Sequence, residues 1–111
     1  MKTRRKVNTK RRLRKPPNFT HDAIRLTELA SNGSGIVKRS EAETLLKEGL
    51  RRGLVSVQER NGWPQNVWAA YQGRIPLEAM LDNPELGTYH GYPMLSYDPL
   101  YYEVLKRWNA Q

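Results

Sequence analysis

The chain has 111 residues, 38% of them hydrophobic, with no cysteine and a formal net charge of +8. One domain with a modest core is the expectation, and the missing cysteines exclude disulfides and thiolate metal sites, as suits a reducing cytoplasm. No apolar run approaches the roughly 20 residues of a membrane span, and none follows the basic N-terminus as in a secretory signal.

The charge is unevenly placed. Lys2, Arg4, Arg5, Lys6, Lys10, Arg11, Arg12, Arg14 and Lys15 are nine basic residues with no acid among residues 1–15, which leaves ten basic and eleven acidic groups in residues 16–111. The body is nearly neutral. A like-charge block with so little to bury predicts a disordered basic tail over residues 1–17, followed by one compact domain over 18–111. Pro16 and Pro17 mark the boundary, because they block helix continuation from the tail.

In the body, Thr20 offers an N-cap, Asp22 a first-turn carboxylate, and Ile24, Leu26, Leu29 and Ala30 an apolar face, predicting a helix over about 21–31. The run Ser31–Gly35 ends it, with Gly33 suited to a left-handed C-terminal position. Ser40 and Glu43 form a Ser-x-x-Glu capping box for a second helix. Ala42, Leu45, Leu46 and Leu50 line its inner face, Arg51 and Arg52 complement its macrodipole, and Gly53 closes it.

After Gly53 the apolar period changes to two. "LVSVQE" (54–59), a turn at Asn61–Gly62, and "NVWAAYQ" (66–72) read as a hairpin. A second two-residue turn at Gln72–Gly73 leads into "RIPLEAML" (74–81). These turns would pair Val57 with Asn66, Val55 with Trp68, and Trp68 with Leu77. Val55, Val57, Trp68, Ala70, Ile75, Leu77, Ala79 and Leu81 would then share one face, and Ser56, Val67, Tyr71, Arg74, Glu78 and Met80 the other. Pro76 lacks a ladder donor, which predicts an edge or a bulge. "DNPELG" (82–87) reads as a loop and "TYHGYPML" (88–95) as a short strand or an extended turn. Asp98 caps a last helix, with Pro99 at its first position and Leu100, Val104, Leu105 and Trp108 as its stripe. The fold class is α+β: two N-terminal helices, a three- to four-stranded antiparallel meander, and a C-terminal helix.

The tail is the strongest functional signal, since clustered Lys and Arg neutralise phosphates and release counterions. Arg4, Arg5, Lys6, Lys10, Arg11, Arg12, Arg14 and Lys15 are therefore candidate nucleic-acid contacts. With only Val7 and Leu13 as apolar anchors, a membrane surface fits less well. The helix ending in "RRGLV" and the hairpin after it resemble the recognition helix and wing of winged-helix DNA-binding domains. That resemblance implies phosphate contacts from Lys47, Arg51 and Arg52, with Arg60 and Asn61 as the wing; a purely structural helix–hairpin unit is the other reading. Trp63, in "NGWPQ", is the candidate exposed base-stacking aromatic.

Two histidines, no cysteine and no His-Glu-x-x-His spacing give no metal site, and no cofactor is expected. Acid–base cleavage of RNA needs a base, an acid and a cation. Glu78, His90 and Arg74 are residues of the right types. "GTYHGY" (87–92) also resembles the Tyr-Tyr-His strand of barnase-like ribonucleases, which implies an acid–base glutamate and histidine on one sheet. The stretch from Gly62 to Met94 resembles a signature of small uncharacterised bacterial proteins, which implies a bacterial origin and no mechanism. Three functions stay open: a nucleic-acid-binding protein, a small metal-independent ribonuclease, and an interaction module whose tail docks an acidic protein.

Overall fold

A computed structural model describes the backbone of Arg25–Leu29 and the whole of residues 38–110. The basic tail and the flanks of the helix expected over 21–31 lie outside the described residues. Residues 25–29 themselves form a strand, β1 (Arg25–Leu29), laid parallel to β6 (Thr88–Pro93). Leu26 is in register with Tyr89 and Leu29 with Gly91, because a bulge falls between Leu26 and Glu28. The leucine spacing that reads as helical is thus met by a bulged strand, and pairing to an open sheet edge overrides the local pattern.

Helix α1 (Arg39–Arg52) starts just before the expected box. The backbone N–H of Lys38 donates to Oε1 of Glu41 at 3.3 Å, so Lys38 and Glu41 cap the helix rather than Ser40 and Glu43. Gly53, at φ 82°, ends it in the left-handed conformation, with its N–H turned back on the carbonyls of Gly49 and Leu50.

The hairpin that follows is short. β2 (Glu59–Arg60) and β3 (Trp63–Pro64) flank Asn61 and Gly62, both at positive φ. Toward the helix the register slips. The N–H of Gln65 reaches the carbonyl of Gln58, but the N–H of Ser56 reaches that of Asn66, which leaves Val57 bulged out and 61% exposed. Val55 consequently lies opposite Val67, not Trp68.

The main sheet has strand order β1-β6-β5-β4, with β4 (Asn66–Tyr71), β5 (Ile75–Asn83) and β6 as its antiparallel part. Gln72 and Gly73 do form the turn, and the N–H of Arg74 closes it on the carbonyl of Tyr71. Tyr71 then pairs with Ile75 and makes Arg74 a third loop residue. That single extra residue flips β4 relative to the expected register. Trp68 faces Glu78, Ala69 faces Leu77 and Ala70 faces Pro76. One face therefore carries Asn66, Trp68, Ala70, Pro76, Glu78, Met80, His90 and Tyr92, and the other Val67, Ala69, Ile75, Leu77, Ala79, Leu81 and Tyr89.

Pro76 sits in β5, an inner strand, so the expected edge is corrected too. A strand residue turns its N and C=O to the same side. The carbonyl of Pro76 accepts from the N–H of Met94 just past the end of β6, where no ladder bond needs the missing donor. β4 and β6 start where expected, and β6 is a true strand, but the strand expected over 54–59 is reduced to β2, and β5 runs on to Asn83, two residues into the stretch expected as a loop.

Helix α1 lies on the Ala69 face, close enough that a Cβ on Gly49 would sit 3.6 Å from that of Ala69. Ala42, Leu46 and Leu50 pack there, and helix α2 (Tyr101–Asn109) buries Val104 and Trp108 while packing against β4 and β5. The carboxylate of Asp98 accepts from the N–H of Leu100 at 2.9 Å, but α2 begins at Tyr101 with Leu100 as its N-cap, so Asp98 and Pro99 precede the helix instead of capping and opening it. Among the described residues no helix is long and apolar enough to cross a membrane.

Candidate functional site

The polar face of the sheet gathers the chemistry-bearing side chains. His90 on β6 is level with Met80 on β5, and Tyr92 is level with Glu78. Tyr92 stands on the same side as His90, with ring centroids 6.3 Å apart. Asp82 falls at a bulge in β5, between the pairs Leu81–Tyr89 and Asn83–Thr88. Its Oδ1 lies 2.5 Å from Nδ1 of His90, and both side chains remain open to solvent, at 36% and 38% exposure. With Nδ1 donating to the carboxylate, the neutral ring carries its lone pair on Nε2. Among the described residues Nε2 has no hydrogen-bond partner.

Deeper on the same face the groups are buried. Glu78 and Asn66 are both fully buried, and Nδ2 of Asn66 donates to Oε2 of Glu78 at 2.9 Å. Among the described residues Oδ1 of Asn66 and Nε1 of Trp68, both buried, have no hydrogen-bond partner. Among the described residues no three His, Asp or Glu side chains converge as metal ligands would.

The residues expected to act together are only partly united. Glu78 and His90 share a face as diagonal neighbours, about 7–8 Å apart by sheet geometry. Glu78 is closed to solvent, however, and bonded to Asn66. Arg74 is exposed in the β4–β5 loop, some 15–20 Å from the level of His90 by strand rise. Glu78, His90 and Arg74 do not converge.

The arginines ending α1 are occupied. Arg51 and Arg52 both pair with Glu48, Arg52 through its Nε at 2.9 Å. Arg52 also stacks 4.0 Å above the Trp108 ring and donates to the Trp108 carbonyl. Its guanidinium bond is the main reason the Glu48 carboxyl is held below the ordinary range, with Arg51 assisting and burial opposing. These contacts tie α1 to α2.

The hairpin tip is pinned in the same way. Nδ2 of Asn61 donates to the Pro84 carbonyl, Tyr89 donates to that of Pro64 at 2.6 Å, and Trp63 covers Gly87. Trp63 is 8% exposed and belongs to the core, so it offers no open stacking surface. Arg60 stays exposed on β2. The cationic candidates from Arg4 to Lys15 lie outside the described residues. Asp82 was missed because its stretch reads as a loop; the alternation Glu78, Met80, Asp82 was the signal that could have found it.

No protein-family model, curated protein or solved structure matches this chain.

Proposed function

We propose that this is a cytoplasmic nucleic-acid-binding protein, bacterial in origin, whose Lys/Arg-rich leader contacts phosphates while the α+β body positions it. The observation that carries this reading is the partition of charge: nine basic residues and no acid in residues 1–15, against a body of net charge −1. Within the body, the exposed Arg60 and Arg74 suit phosphate contact better than Arg51 and Arg52, which are committed to Glu48 and Trp108.

Titrating a fluorescent oligonucleotide at several salt concentrations tests it. Each neutralised phosphate contributes about −0.9 to the slope of log K against log salt on duplex DNA. Five engaged leader cations would therefore give a slope near −4.5. Removing residues 2–15 should abolish most binding and flatten that slope. Unchanged affinity refutes the reading, and captured partners that survive nuclease digestion would point to an acidic protein instead.

A further inference from the structure

We propose that the Asp82–His90 pair is the catalytic centre of an RNA-cleaving activity, with His90 as general base and Asp82 as its positioning residue. The inference rests on the nucleic-acid reading above for delivery of the substrate, and on three independent features of the fold.

The first is the dyad itself. One imidazole nitrogen is held by a carboxylate at 2.5 Å, while the other has no partner among the described residues and the ring is open to solvent. A fixed tautomer with an exposed basic nitrogen is what proton abstraction requires. The second is the backbone around it. Both strands that flank β6 are bulged beside Thr88–His90, β5 at Asp82 and β1 between Leu26 and Glu28. Bulges re-aim side chains and interrupt pairing, and they are over-represented next to active sites. The third is the surrounding face. Tyr92 supplies a half-buried aromatic ring on the same side, its centroid 6.3 Å from that of His90.

The substrate class follows from the chemistry. His90 is the base, water serves as the acid, and the imidazolium formed by proton abstraction is the cation beside the phosphorane; the nucleophile must then come from the substrate, and RNA carries its 2′-hydroxyl while DNA does not. The 2′-oxygen forms a bond to phosphorus as the bond from phosphorus to the 5′-oxygen breaks. The 2′-hydroxyl proton passes to Nε2 of His90, and the leaving 5′-oxygen takes a proton from water. His90 then returns its proton to the hydroxide left behind. The products are a 2′,3′-cyclic phosphate and a 5′-hydroxyl end, and no oxidant, reductant or co-reactant is consumed.

The test uses full-length protein with labelled single-stranded RNA in EDTA, scoring binding by anisotropy and cleavage in the same solution. Mass spectrometry identifies the new ends. Wild type should release 2′,3′-cyclic phosphate ends and leave DNA and 2′-O-methyl RNA of the same sequence intact. His90→Ala and the bulkier His90→Gln should lower the cleavage rate about 10²- to 10⁴-fold while affinity stays within about twofold. Asp82→Asn should lower kcat with KM unchanged, and ¹⁵N spectra in a His21→Gln background should show His90 losing its Nδ1–H tautomer. Bound but uncut RNA overturns the dyad and leaves the binding reading standing. Cleavage that survives in both folded His90 variants, or that consumes DNA equally, also overturns it. Neither binding nor cleavage overturns both readings.

Discussion

Gly49 is where α1 meets the sheet, and Gly49→Ala tests that contact most directly. A Cβ placed there would lie 1.9 Å from the carbonyl oxygen of Trp68 and 3.0 Å from its carbon. The obstacle is backbone in a strand already paired to β5, so it cannot rotate away as a side chain would. Two effects oppose each other. Alanine favours a helix interior over glycine by about 1 kcal/mol. Against that, α1 must lift by more than 1 Å to restore ordinary contact, loosening Ala42, Leu46 and Leu50 over the Ala69 face. Overpacking of this kind costs about 1–3 kcal/mol, and loosening three buried side chains adds to it. The steric effect wins, with a net loss of about 2 kcal/mol and a Tm lower by roughly 8–16 °C for a domain of this size. Thermal melts by circular dichroism, with urea titration as a second measure, read the change. The exposed substitution Ser40→Ala, in the same helix, should stay within about 0.5 kcal/mol. A Gly49→Ala protein as stable as wild type, or more so, refutes the close approach of α1 to Trp68.

Three further outcomes are expected. Gly87→Ala combines a φ of +71° with a Cβ 2.1 Å from the Trp63 ring, so it should displace that tryptophan, destabilise the protein and raise Trp63 fluorescence quenching by acrylamide. Tyr89→Phe leaves the buried carbonyl of Pro64 without its donor and should cost about 1–2 kcal/mol by urea titration. Burial, with help from the charge of Glu59, pushes the Tyr89 hydroxyl far above the usual phenol range. It stays neutral in the folded state while the unfolded chain ionises near pH 10, so stability falls above about pH 10 and the variant should lose that part of the slope. Arg52→Gln removes the stack on Trp108 and the bond to its carbonyl, for about 1–2 kcal/mol. It should also raise the Glu48 carboxyl toward its ordinary value. Because that carboxyl titrates lower in the folded state, it contributes stability above its unfolded value that is lost as pH falls through the folded one. Carbon NMR titration of Glu48 should show the change, and a carboxyl that does not move would refute Arg52 as its main partner.

Much of the architecture is legible before folding is considered. The period of α1, its Gly53 stop, the Asn61–Gly62 turn, the β4 and β5 spans and the stripe of α2 are all local signals. They depend on backbone conformation and on which residues tolerate positive φ. The site was half visible, since His90 stood out among aromatic neighbours while Asp82 was hidden in a stretch that resembles a loop.

Pairing and facing were decided elsewhere. Trp68 and Ala69 are adjacent in sequence and both fully buried, so β4 has no polar face to orient it, and alternation could not reveal that Arg74 adds a residue to the turn. Whether Leu26 and Leu29 mark a helix or a bulged strand depended on an open edge of β6 more than sixty residues further on. Local sequence determined where elements start and stop, because those limits are written in single residues. Register, the burial of Glu78 and the meeting of Asp82 with His90 came only with the tertiary structure, because each depends on what a distant strand offers in return.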